Sequence, residues 1–459
     1  MANWNSPENP STSNGPKKTA GDSYLHPVIV FAVHDGPRLR YTCSVIGQQL
    51  YGEPLLLTSD RTVYARHPGA KINYSDTRSE FNEIYIRPYG LLSETGIRAQ
   101  VTDTGPSAEG FHFFRNDSDT GFDLFSAVFY LLSRYEEYLP SEKDMYGRYA
   151  HTGSLAFRSG FLHQPLADEW IAALKHRLGA VFPYEQVLHQ SVFRFRPTYD
   201  IDIAWSYRHK DLLRLTAGWF RSVFEKGGLR RRIAVLGKRR PDPYDSFSWL
   251  DQLHLQHALR PVYFFLLARA PGIYDKNNNP SGAAMRALVR DHAERYTTGI
   301  HPSWRSGDDP EETAREIAIL RDLSGREIIL SRQHYIRFTL PVTYRRLAAL
   351  GITDDYSMGY GSINGFRAST SFPFPWYDLE AERATSLMLH PFCFMDANSF
   401  YEQGLDPAAT LQEMRGYYDR VLAVKGHLVM IWHNHFLGTD PKFSGWREIY
   451  QAFVTIAAR

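Results

Sequence analysis

From residue 193 onward, short apolar runs alternate with stretches of helical spacing, and this alternation constrains the fold more than any other feature. "FRFRPTYD" is followed by the helical "SFSWLDQLHLQHAL" and then by "RPVYFFLLA" (261–269). "AAMRALVRDHAER" leads into "YTTGIHPSW", "EETAREIAILRDLSG" into "EIILSRQHYIRF", and "PVTYRRLAALG" into "ITDDYSMGY". "SLMLHPFCFMD" reads as a further strand, and "PAATLQEMRGYYDRVLAVKG" leads into a last one, "HLVMIWHNHF". Repeated βα units of this kind predict parallel strands, either as an open sheet or as a barrel. Upstream, "HPVIVFAV" (26–33), "EPLLLTSD" and "NEIYIRPY" read as strands around a helical "LRYTCSVIGQQLYG". A small α/β domain over 26–105 is therefore expected. "FDLFSAVFYLLSRYEEYLP" (122–140) and "PLADEWIAALKHRLG" (165–179) predict a mainly helical connector over 106–192.

The 459 residues are long enough for two or three domains. A formal charge of +2 gives no reason to expect nucleic acid as a partner. The densely basic "EKGGLRRRIAVLGKRRPDPYD" (225–245) reads as a solvated insertion. Cys43 and Cys393 form no CxxC pair, so any metal would be held by imidazole and carboxylate. Residues 1–25 are polar, lack a signal-peptide core and read as a disordered tail. No apolar run approaches the length of a membrane span, and a cytoplasmic protein is expected. Oligomeric state is not legible.

In parallel α/β folds, functional groups collect at the carboxyl ends of strands. Those ends carry Asp200 and Asp202, His301, then Arg332, His334 and Tyr335. Asp354 and Asp355, His390, and the pair His433 and His435 follow. Asp200 and Asp202 are two residues apart, so on a strand they point to one face, where two carboxylates repel. A divalent cation removes that conflict. One aspartate then serves as a ligand while its neighbour accepts a proton from bound water. His and carboxylate without thiolate suit zinc or another divalent transition metal.

The motif order over 193–459 resembles that of the NodB-homology polysaccharide deacetylases, carbohydrate esterase family four, in a divergent bacterial branch with an extra N-terminal region. "TYDID" stands in the place of the family's TFDDGP, "PVYFFLLA" resembles its ATFFLLG strand, and "TTGIHPSW" resembles its glycine-led histidine segment. "RQHY" replaces R-x-P-Y, "TDDY" is a weak echo of the fourth motif, and "VMIWH" resembles the closing one. The resemblance implies a distorted (β/α) barrel and a metal-dependent hydrolase removing N-acetyl or O-acetyl groups from a carbohydrate or glycan precursor. It also implies Asp200 as base, Arg332 orienting it, the Tyr335 backbone N–H facing the oxyanion, and His433 as general acid with Asp355 as partner. Asp202 and His301 would be ligands to the divalent metal, most simply zinc. The family's second motif, H-x-x-x-H, has Arg305 at its second histidine, whereas His334 stands where the family has proline. That exchange makes His334 the expected third ligand. Trp304, Trp376 and Tyr377 offer sugar-stacking rings, with Arg367 as a further substrate contact, although such side chains equally suit a core. Two other readings stay open: an inactive barrel binding glycan or a protein partner, and an amidohydrolase acting on a non-sugar amide.

Overall fold

Ile29–Ala32 (β1) is buried at every residue and forms the centre of a first sheet. Leu56–Thr58 (β2) pairs on one side of β1 and Lys71–Tyr74 (β3) on the other, with Ile84–Ile86 (β4) beyond; all are parallel. The computed structural model describes residues 26–102, 105–107, 110–183, 191–210, 228–270 and 272–458. The expected tail 1–25 and the first residues of the basic stretch lie outside them. The helix Pro37–Tyr51 starts with proline in its first turn and stops at Gly52, whose φ of 82° suits glycine. A short hairpin pairs Gly105–Ser107 (β5) with Gly110–His112 (β6). In the connector, Leu124–Leu132 is buried all round, as its unbroken apolar run requires, and Asp123 caps it by accepting from Ser126 N–H.

The second sheet has nine strands. They are Arg194–Ile201 (β7), Val262–Phe265 (β8), Thr297–Ile300 (β9), Leu330–Ser331 (β10) and Asp354–Asp355 (β11). Phe374–Asp378 (β12), Arg383–Leu389 (β13), Phe394–Met395 (β14) and His427–His433 (β15) complete it. The order is β12-β13-β11-β10-β9-β8-β7-β15-β14, and only β12 runs antiparallel to its neighbour. β12 and β14 stand at opposite ends of this ladder, so among the described residues the strands form an open series, and no pairing closes the distorted barrel that the resemblance implies. The central strands are covered on both faces: β8 is buried throughout and β15 from Leu428 onward.

Parallel register brings the strand ends level. Asp200 pairs with Phe264, Phe265 with Ile300, Ile300 with Ser331, and Asp200 with His433 across β15. Residues that follow these pairs in sequence therefore emerge along one edge of the sheet.

The N-terminal region packs against the antiparallel β12–β13 end. Tyr41 donates its hydroxyl hydrogen to Pro375 O at 2.9 Å, and Arg38, fully buried, pairs its Nε with Glu382 Oε2 at 2.9 Å. Glu137 of the connector accepts both Arg367 Nε at 2.8 Å and Nη2 at 2.6 Å. Removing one partner of such a buried pair typically costs about 3–5 kcal/mol, because it strands the other charge. Within the edge strand β12, the Pro375 carbonyl is thus satisfied from within the chain.

Candidate metal centre

β7 ends one residue before Asp202, β9 one before His301, β10 one before Arg332, and His433 closes β15. These ends bring the sequence-predicted residues together. One ligand atom each from Asp202, His301 and His334 lies within 4.8 Å of the other two. His301 Nε2 is 3.2 Å from Asp202 Oδ1 and 3.8 Å from Asp200 Oδ2. His334 Nε2 and His433 Nε2 stand 3.6 and 3.5 Å from Asp202 Oδ2.

Each imidazole is tied through its other nitrogen. His301 Nδ1 donates to Arg332 O at 2.6 Å, which leaves its Nε2 lone pair facing Asp202. His334 Nδ1 meets the buried Asp275 Oδ1 at 3.0 Å, and the same oxygen accepts Trp304 N–H at 2.9 Å. His433 Nδ1 meets Asp396 Oδ1 at 2.6 Å, and Asp396 Oδ2 accepts the His433 backbone N–H at 2.6 Å. Asp200, 2% exposed, is held by Arg332 Nη1 at 2.8 Å on Oδ1. Arg332 in turn donates to Thr198 Oγ1 and Tyr356 O, with its guanidinium 4.4 Å over the Phe264 ring.

Asp202 Oδ1 is buried and accepts no hydrogen bond. A carboxylate oxygen facing an imidazole lone pair at 3.2 Å fits a cation between them, and two imidazoles with one carboxylate are a zinc-type donor set. Without a cation, protons take its place. Burial opposes ionisation of Asp202, yet His334 and His433 outweigh it and hold this carboxyl well below its ordinary range. Burial likewise opposes charge on the two histidines, but Asp202 and Asp275 raise His334 to about 9, and Asp396 and Asp202 raise His433 to about 10. Burial and the neighbouring His433 push His435 down to about 3, so it stays neutral.

These groups open into a cavity of about 510 Å³, whose lining includes Tyr274, Tyr335 and Glu402. The other expected site residues lie elsewhere. Asp355 is fully buried and accepts from Ser331 Oγ, Ser357 N and Ser357 Oγ, so the partner of His433 is Asp396 instead. Trp304 is packed by a Tyr274 ring stacked 4.0 Å away and by Arg337, 4.4 Å over the indole, and does not line the cavity. Trp376 and Tyr377 are buried on β12, where Tyr377 packs on Tyr41 and Phe129. Arg367 is buried in its ion pair with Glu137. All three serve the junction with the N-terminal region rather than the cavity. Arg305 is exposed.

Sequence reading missed Asp275 and Asp396. Asp396 was within reach, since it ends the apolar run "SLMLHPFCFMD" at the carboxyl side of a strand. Asp275 sits ten residues past β8 in an irregular loop, and no local signal marked it.

Residues 28–183 match the model of a family of unknown function (DUF7033). No curated protein matches the chain. Among solved structures, the chain is similar to a Mycobacterium smegmatis protein described as a polysaccharide deacetylase, at 15% identity and a TM-score of 0.38. That match covers 59% of this chain and 85% of the other. A Pseudomonas aeruginosa PAO1 protein described in the same way matches at 13% identity and a TM-score of 0.37, over 57% and 85%. The polysaccharide deacetylase Bc1974 from Bacillus cereus matches at 11% and 0.28, over 58% and 88%.

Proposed function

We propose that the chain is a metal-dependent hydrolase that removes an N-acetyl or O-acetyl group from a carbohydrate, with residues 193–459 built as a distorted (β/α) deacetylase barrel. One observation carries this reading: a buried carboxylate oxygen of Asp202 without a hydrogen bond, beside His301 and His334 and flanked by the supported pairs Asp200–Arg332 and His433–Asp396. The motif order read from the sequence points the same way.

Asp202, His301 and His334 would hold a divalent cation, zinc by donor type. Bound there, the ion supplies Lewis acidity toward the acetyl carbonyl and lowers the pKa of water. The protein's own groups divide the rest. Arg332 fixes Asp200 through Oδ1 and leaves Oδ2 on the His301 side. From there Asp200 takes the proton of the attacking water as the new C–O bond forms. The Tyr335 N–H serves the oxyanion. His433, anchored at Nδ1 by Asp396, gives a proton from Nε2 to the nitrogen as the C–N bond breaks, releasing acetate and a free amine. A carboxylate behind an imidazole keeps it in one tautomer and one orientation.

The two aspartates separate in a simple experiment. Asp202→Ala is expected to purify without stoichiometric metal, and Asp200→Asn with full metal but turnover lowered by roughly 10²–10⁴. Metal is counted by elemental analysis, and turnover by acetate released from a panel of N-acetylated sugars and small amides. Equal metal loss in both variants, or no acetate from any compound with the metal-loaded protein, rejects the reading.

A further inference from the structure

The turn Asp144–Arg148 belongs to the region preceding β7, yet Tyr146 and Arg148 line the cavity that holds Asp202, His301 and His334. The turn is stiff. Asp144 Oδ1 accepts the N–H groups of Tyr146 at 2.9 Å and Arg148 at 3.0 Å, Asp144 N–H donates to Arg148 O at 2.9 Å, and Gly147 takes φ 72°. Arg148 is buried, with Nε on Asp144 Oδ2 at 2.6 Å. Its Nη1 donates to two carbonyls of the other region, Tyr335 O at 2.8 Å and Gly361 O at 3.0 Å. Position 361 has to be glycine for this grip, because a Cβ there would come within 2.1 Å of Nη1.

The gripped carbonyl belongs to the turn that begins at His334. Tyr335 (φ 58°) and Ile336 (φ 55°) both occupy the left-handed region. That conformation costs an L-residue about 1–2 kcal/mol and persists where its surroundings enforce it. Tyr146 packs on the Tyr335 ring at 5.3 Å from the same side. Asp275 sets the ring of His334, but a ring is placed only as well as its backbone.

We propose that Arg148 is a positioning residue for His334, so that the N-terminal region is a working part of the metal centre. This rests on the metal-site reading above. It gives residues 28–183, which match a family of unknown function, a stated task.

The test uses the full-length protein and Co²⁺, whose visible d–d absorption reports ligand number and geometry. Arg148→Ala and Arg148→Lys, the latter keeping the charge beside Asp144 without the reach to two carbonyls, are expected to weaken Co²⁺ binding at least about tenfold and to change its spectrum as His334→Ala does. Gly361→Ala, whose Cβ would press on the same guanidinium and also come within 2.8 Å of Tyr335 O, should act alike, and Arg148→Lys decides the matter if Arg148→Ala does not fold. Arg38→Lys, at the buried ion pair with Glu382 elsewhere in the junction, should lower the melting temperature and leave spectrum and affinity unchanged. A wild-type spectrum and affinity in the Arg148 variants overturns the proposal alone, as does an equal spectral change in Arg38→Lys. A wild-type protein that takes up no Co²⁺ overturns both this proposal and the metal reading.

Discussion

His334 is buried against Asp202 and Asp275, while Arg305 is exposed, and that contrast decides which of them can serve a cation. An arginine stays protonated and has no lone pair to give. Asp202 and His301 alone would supply one ligand fewer than a catalytic zinc usually has. His334→Ala is therefore expected to reduce zinc stoichiometry as much as His301→Ala, with Arg305→Ala at the wild-type value. Retention of full zinc by His334→Ala would move the third ligand elsewhere. His433 has a different expected signature. His433→Ala should keep its metal and lose about 10²–10⁴ in turnover on an amide, with a smaller loss on an activated aryl acetate, whose leaving group needs no proton. An equal loss on both would make the residue structural. At this scale the sequence was legible where a chemical conflict had to be resolved, as with two carboxylates on one strand face. It was silent about partners such as Asp275, because nothing local shows which imidazole a loop carboxylate will meet. The aromatic residues misled for a related reason: a ring that stacks on a sugar and one that fills a junction have the same composition, and only the fold placed Trp376 and Tyr377 in the second class.

Among the elements, β9 sets how closely the site's strands approach. Gly299 sits between β8 and β10, and a Cβ there would lie 2.6 Å from Phe264 Cε1 and 2.9 Å from Leu330 Cβ. Phe264 is fully buried beneath Arg332, so the ring has little room to yield. Gly299→Ala is expected to destabilise the protein by about 1–3 kcal/mol, the usual range for overpacking. Because His301 follows two residues later, the same change should weaken zinc binding. A thermal melt and a zinc titration check the two effects, and an unchanged melt would show that the strands can part. Helices were the most legible elements, since "AAMRALVRDHAER" matches the helix Ala283–Arg295 residue for residue. Another starts at Asp309, which caps it by accepting from Glu311 and Glu312 N–H, with Pro310 in its first turn. β12 was not legible. Pro373 and Pro375 break its pattern, and proline is tolerated there because the strand lies at the sheet's edge. Closure also escaped the sequence, because alternating strands and helices serve an open sheet as well as a barrel.

For the whole molecule, the junction between the N-terminal region and the nine-stranded sheet was the least legible feature, because its contacts join residues hundreds of positions apart. Asp168 exemplifies it. From the helix Leu166–Val181 it accepts the Thr370 hydroxyl and, at 2.7 Å each, the Ser371 N–H and hydroxyl. Burial raises its carboxyl from 3.8 to about 6, although the hydrogen bonds from Thr370 and Ser371 pull the other way. Between those two values the folded chain keeps a proton that the unfolded chain has released. The stability this group contributes is therefore fully present below about pH 4 and lost as pH rises through about 6, an effect of about 3 kcal/mol at most. Asp168→Asn stays neutral throughout and should lack this dependence. Other buried acids add their own slopes, Glu316 (raised by burial to about 7) in the same sense and Glu137 (held near 2 by Arg367 and Arg134 despite burial) in the opposite one, so the difference between the two proteins isolates the group. The urea midpoint of Asp168→Asn relative to wild type should be flat below pH 4, shift in favour of the variant between pH 4 and 7, and level off above. A constant offset across that range would mean that Asp168 is ionised in the folded chain, its four hydrogen bonds, including the one from Gln49 at 3.4 Å, outweighing its burial.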